Sequence, residues 1–107
     1  MTKIPPEIQL AAQSIVDDFN SKIQPRATQY LLRFKGAYLY LDRSDYGERP
    51  SEICRLEFTG SMNHWDFAIY KYSSDQYDPD EGFFPGVELL DGTIEAAMRC
   101  GLAAYPV

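Results

Sequence analysis

The hydrophobic pattern of this chain changes its period near Ala27, and the change separates an N-terminal helical segment from a strand-rich centre. Before that point apolar residues recur every three or four positions, the spacing of an amphipathic helix. They are Ile4, Ile8, Ala11, Ala12, Ile15, Val16, Phe19 and Ile23. Pro5 and Pro6 fit only at the start of such a helix, because its first backbone N–H groups need no intrahelical acceptor. Pro25 follows the last apolar position and ends the helix.

After Ala27 apolar and polar residues alternate, which predicts strands, and two turn signals pair these strands into hairpins. Lys35 and Gly36 form a candidate two-residue loop, since glycine supplies the positive φ that such turns need. This register puts apolar pairs on one face: Phe34 with Ala37, Leu32 with Leu39, and Tyr30 with Leu41. A second hairpin joins residues 52–59 to residues 64–72 around a four-residue turn. It pairs Phe58 with Trp65, Leu56 with Phe67, and Cys54 with Ile69. A slip of one residue would scatter these side chains, so the sequence predicts four antiparallel strands.

A second helix is predicted from about Thr93 to Ala104, where the apolar residues return to helical spacing. Asp91 or Thr93 can cap its start, and Pro106 prevents its continuation. A chain of 107 residues with 45% hydrophobic content fits one compact domain. The sequence therefore predicts a single α+β domain over residues 1–107, with an N-terminal helix, a four-stranded antiparallel meander and a C-terminal helix. Both helices are expected on one sheet face, as a two-layer sandwich.

The predicted registers also define the sheet face opposite the core, and it carries four tyrosines. The residues expected there are Leu31, Arg33, Lys35, Tyr38, Tyr40, Asp42, Ile53, Arg55, Glu57, Asp66, Ala68, Tyr70 and Tyr72. Tyrosine and arginine are enriched at the centre of protein interfaces. The hypothetical binding residues are Arg33, Tyr38, Tyr40, Arg55, Tyr70 and Tyr72. Two other interpretations stay open: a solvated face with local Tyr–Arg stacking, or a face covered by the C-terminal helix.

Residues 73–86 form a long loop that is rich in acidic and aromatic side chains. An EF-hand pattern starting at Asp78 fails, because Gly82 is fifth rather than sixth and the twelfth residue is Leu89. The acids from Asp75 to Glu95 could instead attract a basic partner. A pocket between this loop and the sheet, near Tyr77, Phe83 and Phe84, is the alternative site. It would suit a small-molecule-binding or catalytic domain.

The charge balance limits the partners that we expect. Ten Lys and Arg against sixteen Asp and Glu give a net charge of -6, which disfavours nucleic acid and anionic membranes. Six basic residues do lie in the first three strands and their loop, but Asp42, Glu57 and Asp66 share the tyrosine face. Stacking of single-stranded nucleic acid therefore stays a minor alternative. Residues 1–13 predict neither a signal peptide nor a membrane span, which favours the cytoplasm.

The sequence gives no sign of a metal-binding or catalytic role for Cys54, Cys100 or His64. Two distant cysteines and one histidine cannot supply the usual ligands of a structural zinc site within one chain. We expect both cysteines to be buried free thiols rather than a disulfide. No glycine-rich phosphate loop or catalytic motif is present, and no metal or cofactor is expected. The sequence thus favours a small non-enzymatic interaction domain that binds a protein partner, or a second copy of itself, through the tyrosine face.

Overall fold

The computed structural model describes residues 3–23 and 26–107, and Pro25, predicted to end the first helix, lies outside them. Two helices, five strands and one short 3-10 turn follow one another in this part of the chain. They are α1 (Pro6–Lys22), β1 (Thr28–Lys35), β2 (Tyr38–Asp45), β3 (Ser51–Phe58), β4 (Trp65–Lys71), β5 (Gln76–Asp78), the 3-10 turn (Val87–Leu89) and α2 (Ile94–Ala104). The strands form one antiparallel sheet in chain order. The predicted α+β fold is confirmed, with five strands instead of four. The additional strand, β5, lies within residues 73–86, which were predicted to be a loop throughout, and it is too short to show a period.

The first hairpin has a different register from the predicted one. Its loop is Gly36–Ala37, so Lys35 pairs with Tyr38, Phe34 with Leu39 and Leu32 with Leu41. Gly36 has φ +60° and takes the first loop position, as in turns of type II′. The predicted pairs are therefore wrong by two residues. Because the side-chain period of a strand is also two, every side chain keeps its predicted face.

The second hairpin has the predicted register, with Phe58 opposite Trp65, Leu56 opposite Phe67 and Cys54 opposite Ile69. Between β2 and β3, however, the pairing shifts after Leu41, which faces Cys54, to Asp42, which faces Glu52. Ile53 is left as an extra residue, a β-bulge. It turns into the core, where it is 2% exposed, so its predicted place on the open face is wrong. Glu52 lies beside the tyrosines instead.

Both helices pack on the same face of the sheet and share one core with it. This core includes Ala12 and Val16 of α1, Leu39 and Leu56 of the sheet, and Met98 of α2. The interpretation in which the C-terminal helix covers the tyrosine face is therefore wrong. Within residues 3–23 and 26–107, neither helix has the length and apolar character needed to cross a bilayer.

Candidate functional site

Six of the eight tyrosines of the chain form one continuous series of ring contacts, which we call the tyrosine ladder. Its members in order of contact are Tyr38, Tyr40, Tyr77, Tyr70, Tyr72 and Tyr105. The successive ring centroids are 6.1, 5.3, 4.9, 4.8 and 5.5 Å apart. All neighbours are tilted or edge-on, the arrangement that the charge distribution of aromatic rings prefers. The open face thus carries a connected aromatic surface rather than separate rings.

Tyr77 connects the tyrosines of β2 to those at β4, because its ring reaches across the sheet. It lies on β5 and pairs with Tyr70 on β4, yet its ring also contacts Tyr40 on β2. Ala68, which faces the same side from β4, is only 3% exposed and leaves room for larger side chains above it. Burial raises the pKa of Tyr77 to about 12, so its hydroxyl is neutral at physiological pH.

Two arginines stack on the rings of the tyrosine ladder. The Arg33 guanidinium carbon lies 4.7 Å from the centroid of Tyr40, and that of Arg55 lies 4.5 Å from Tyr38 and 5.4 Å from Tyr77. Arg33 also donates two hydrogen bonds to Asp42, of 2.6 and 3.1 Å. These bonds raise the pKa of Arg33 above its ordinary value. Each cation therefore has a fixed place on an electron-rich ring face.

Exposure varies along the ladder. Tyr72, next to the last member of the ladder, is 52% exposed, whereas Tyr38, Tyr40 and Tyr77 are half-buried. Tyr70 is 5% exposed and donates its hydroxyl hydrogen bond to the Asp75 carboxylate, which raises its pKa. An open concavity of about 510 Å³ lies over this part of the face. Its lining residues are Arg33, Lys35, Tyr40, Asp42, Glu52, Tyr70 and Tyr77.

The structure brings five of the six predicted binding residues to an accessible face. Arg33, Tyr38, Tyr40 and Arg55 lie together on β1, β2 and β3, and Tyr72 directly follows β4. Tyr70 belongs to the ladder but is too buried to offer a contact surface. The sequence placed Tyr77 in the alternative pocket rather than on this face and did not single out Tyr105, because one lies on a three-residue strand and the other follows the end of α2. The binding role of all these residues stays a prediction.

A second concavity, of about 380 Å³, lies between β4, the 73–86 loop and the end of α2. Phe83, Phe84, Lys71, Glu81 and Tyr105 are among its lining residues, whereas Tyr77, predicted to lie here, belongs to the tyrosine ladder. Phe84 stacks on Phe67 at 5.8 Å, which fixes the loop to the sheet, while Phe83 is 96% exposed.

The acids of the 73–86 loop partly neutralise a lysine of the sheet. Lys71 Nζ lies 2.9 Å from Glu81 and 3.8 Å from Asp78. The hydrogen bond from Lys71 lowers the pKa of Glu81. In the described part of the chain, no three His, Cys, Asp or Glu side chains are grouped so that they could hold a metal ion.

Cys54 and Cys100 are both free and buried, as predicted. Burial raises the pKa of both thiols, that of Cys100 to about 11. A catalytic thiol needs the opposite shift, since the thiolate is the nucleophile. His64, in contrast, is exposed in the turn before β4. The two cysteines therefore contribute to packing.

The chain matches no protein-family model, no curated protein and no solved structure. Its function is therefore inferred from its own geometry.

Proposed function

We propose that this protein is a non-enzymatic interaction domain that binds another polypeptide through the tyrosine ladder and the two arginines stacked on it. The observation that carries the proposal is the connected surface of tyrosine and arginine side chains on a sheet face that neither α1 nor α2 covers. Tyrosine and arginine dominate the energetics of protein interfaces, because each combines a large contact area with polar atoms.

The contacts within the ladder favour binding because they fix the side chains before a partner arrives. Association normally costs about 0.5–1.5 kcal/mol for each flexible side chain that becomes ordered. Arg33 is already held by Asp42 and Tyr40, and Arg55 by Tyr38 and Tyr77. A partner would therefore bind a surface whose side chains have already lost most of their conformational entropy during folding.

The charges on this face favour a polypeptide over a nucleic acid. Arg33 and Arg55 lie beside Asp42, Glu52 and Glu57, so no extended positive surface is present to follow a phosphate backbone. The rings are also tilted against one another, and the arginines lie over Tyr38, Tyr40 and Tyr77. Flat base stacking needs free ring faces instead.

Site-specific photo-crosslinking in living cells would test this proposal. A photoreactive phenylalanine derivative replaces Tyr72, the most exposed member of the ladder, and in a control protein it replaces Asp17 on the exposed side of α1. We expect one polypeptide, identified by mass spectrometry, to be crosslinked from Tyr72 and not from Asp17. The Tyr38→Ala/Arg55→Ala double variant should reduce this adduct at least about tenfold, as expected for loss of interface anchors.

Equal crosslinking from both positions, or an adduct that the double variant leaves unchanged, would contradict the proposal. Tyr70 is kept in this experiment, because truncation of a buried ring would test folding rather than binding. Sedimentation velocity of the purified chain distinguishes a second copy from a different polypeptide as the partner. A dimer that the double variant dissociates identifies self-association.

The concavity beside the 73–86 loop supports a second candidate, a small-molecule-binding domain. Its apolar lining from Phe84 and Tyr105, together with the Lys71–Glu81 pair, resembles the usual composition of ligand sites. An NMR screen of small aromatic acids decides between the surfaces. Shifts of the Lys71 and Phe84 signals without shifts of Tyr38 and Tyr40 would favour this candidate, and no shift at Lys71 or Phe84 would exclude it for that ligand class.

A further inference from the structure

The edge strand β1 is held at one end by Asn20, near the end of α1, and at the other end by Ile4, which precedes α1. At one end the Asn20 side chain accepts a hydrogen bond from the Tyr30 N–H (2.8 Å) and donates one to the Tyr30 carbonyl (2.9 Å). At the other end the Ile4 N–H donates to the Gly36 carbonyl (3.2 Å). Asn20 thus takes the place of a neighbouring strand at Tyr30, whose backbone N–H and carbonyl point outward from the sheet edge, away from β2.

Leu32 and Phe34 lie between these two fixed points, and their backbone groups point in the same outward direction. In an antiparallel pair alternate residues bond to the partner strand, so residues two and four positions after Tyr30 face outward with it. Among residues 3–23 and 26–107, nothing is hydrogen-bonded to the outward side of Leu32 or Phe34. The edge therefore presents two N–H and two carbonyl groups in the spacing of a strand.

The side chains along this edge have a definite chemistry. On the open face Arg33 and Lys35 are both exposed, although the chain as a whole carries a net charge of -6. Arg33 is already paired with Asp42, at 2.6 Å. Lys35 has no ion-pair partner in the described part of the chain. On the other face Leu32 and Phe34 are apolar and only half-buried. The edge is thus basic on one face and apolar on the other.

We infer that the β1 edge binds an extended polypeptide segment in which acidic and apolar residues alternate, so that the segment becomes a sixth strand of the sheet. Its backbone would pair with Leu32 and Phe34, its acidic side chains would lie beside Arg33 and Lys35, and its apolar side chains would extend the core face. Strand addition of this kind takes affinity from the backbone and specificity from alternate side chains. The inference goes beyond the tyrosine ladder, because it rests on the backbone groups of the β1 edge, although Arg33 borders both surfaces.

A second copy of the chain is a less suitable occupant of this edge. Antiparallel pairing of two β1 strands with Leu32 opposite Phe34 would place the two Arg33 side chains directly opposite each other. Like charges in that position destabilise a strand pair. Two chains with a net charge of -6 each also repel one another.

A pair of synthetic peptides tests the inference, one alternating glutamate with valine and the other lysine with valine. We expect fluorescence anisotropy of the labelled peptides to give an affinity at least about tenfold higher for the glutamate peptide, since Arg33 and Lys35 flank the edge. The amide signals of Leu32 and Phe34 should shift and become protected from hydrogen exchange on binding. Preference for the lysine peptide, or a bound peptide that leaves these amides unprotected, would overturn the inference.

The matched variants Leu32→Pro and Leu32→Ala isolate the backbone contribution. Both remove the leucine side chain, but only proline removes the outward N–H, and an edge strand tolerates proline on its free side. We expect Leu32→Pro to bind the glutamate peptide about tenfold more weakly than Leu32→Ala. Equal affinities of the two variants would contradict strand addition.

The Lys35→Glu variant covers the case in which Leu32→Pro does not fold, and it should reverse the preference for the two peptides. An unchanged preference would overturn the inference. The Tyr38→Ala/Arg55→Ala variant should keep its peptide affinity, so failure at the edge and failure at the tyrosine ladder give different results. Dimerisation through β1, detected by sedimentation and abolished by Leu32→Pro, would show that a second copy occupies the edge instead.

Discussion

At the scale of single residues, Gly101 shows how closely α2 approaches the sheet. A Cβ atom at this position would lie 2.7 Å from Ile53 Cγ2 and would also meet the Tyr30 hydroxyl oxygen. That hydroxyl donates a 2.7 Å hydrogen bond to the Met98 carbonyl. A glycine inside a helix normally weakens it, so its presence here follows from the close packing.

We expect Gly101→Ala to lower the free energy of unfolding by about 1–3 kcal/mol, because overpacking outweighs the gain in helix propensity. Urea denaturation followed by circular dichroism measures the change. Gly82→Ala is the matched control, since a Cβ there meets no atom within 4 Å and the backbone is not left-handed. If both variants unfold at the same urea concentration, the close contact of α2 with Tyr30 and Ile53 is wrong.

Burial of single charged groups was not predictable from residue type. Arg33 and Arg43 are both strand arginines, yet the side chain of Arg33 is 53% exposed and that of Arg43 is 3% exposed. Arg43 donates to Asp45 and to the carbonyls of Gly101 and Tyr105, where α2 ends. Asp45 is only two residues away, but the two carbonyls are far from Arg43 in sequence, so its burial depends on where α2 meets the sheet.

At the scale of elements, the start of α2 was predictable because its signals are local. Thr93 precedes the helix in an extended conformation, and its side-chain oxygen accepts a 3.1 Å hydrogen bond from the Ala96 N–H. Such a bond satisfies one of the backbone donors that a helix leaves without an internal partner.

Thr93→Ala should therefore lower the free energy of unfolding by about 1 kcal/mol, as is typical for loss of an N-cap. Thr93→Ser keeps the accepting oxygen and should retain most of the stability. Thermal and urea unfolding of both variants provide the measurement. An alanine variant as stable as the serine variant would show that the cap contributes nothing.

The sequence predicted which side chains of the strands share a face of the sheet, but it did not predict every pairing register. The first hairpin is shifted by two residues because Gly36 takes the first loop position. The bulge at Ile53 reverses the direction of one side chain without breaking the hydrophobic alternation that the sequence displays. The position of this bulge depends on how β2 pairs with β3 along the full length of both strands, and no single residue type there predicts it.

At the scale of the whole molecule, the burial of protonated thiol and phenol groups makes the free energy of unfolding fall at alkaline pH. Burial raises the pKa of Cys100 to about 11 from 9.0, and that of Tyr77 to about 12 from 10.0. The unfolded chain therefore loses these protons at a lower pH than the folded chain does. The stabilisation they contribute is complete below the unfolded pKa and is lost as the pH rises through the folded pKa.

We expect the free energy of unfolding to be nearly constant from neutral pH to about pH 9 and to fall steadily up to about pH 12. Urea titrations at successive pH values measure this profile. The Cys100→Ala variant should show a flatter decline between about pH 9 and pH 11, because it lacks the first of these groups. Parallel profiles for the two proteins would exclude Cys100 as a contributor.

The amino-acid sequence by itself determined the order of elements, the antiparallel pairing, the two faces of the sheet and the burial of both cysteines. These features follow from hydrophobic period, turn residues and capping residues, which act over a few positions along the chain. The tertiary structure alone decided that Tyr77 and Tyr105 join the other four tyrosines of the ladder, that Tyr70 is buried, and that the β1 edge is fixed at Tyr30 and Gly36 but free between them. The physical reason is that these contacts join residues far apart in sequence, and each depends on how the helices and strands pack together.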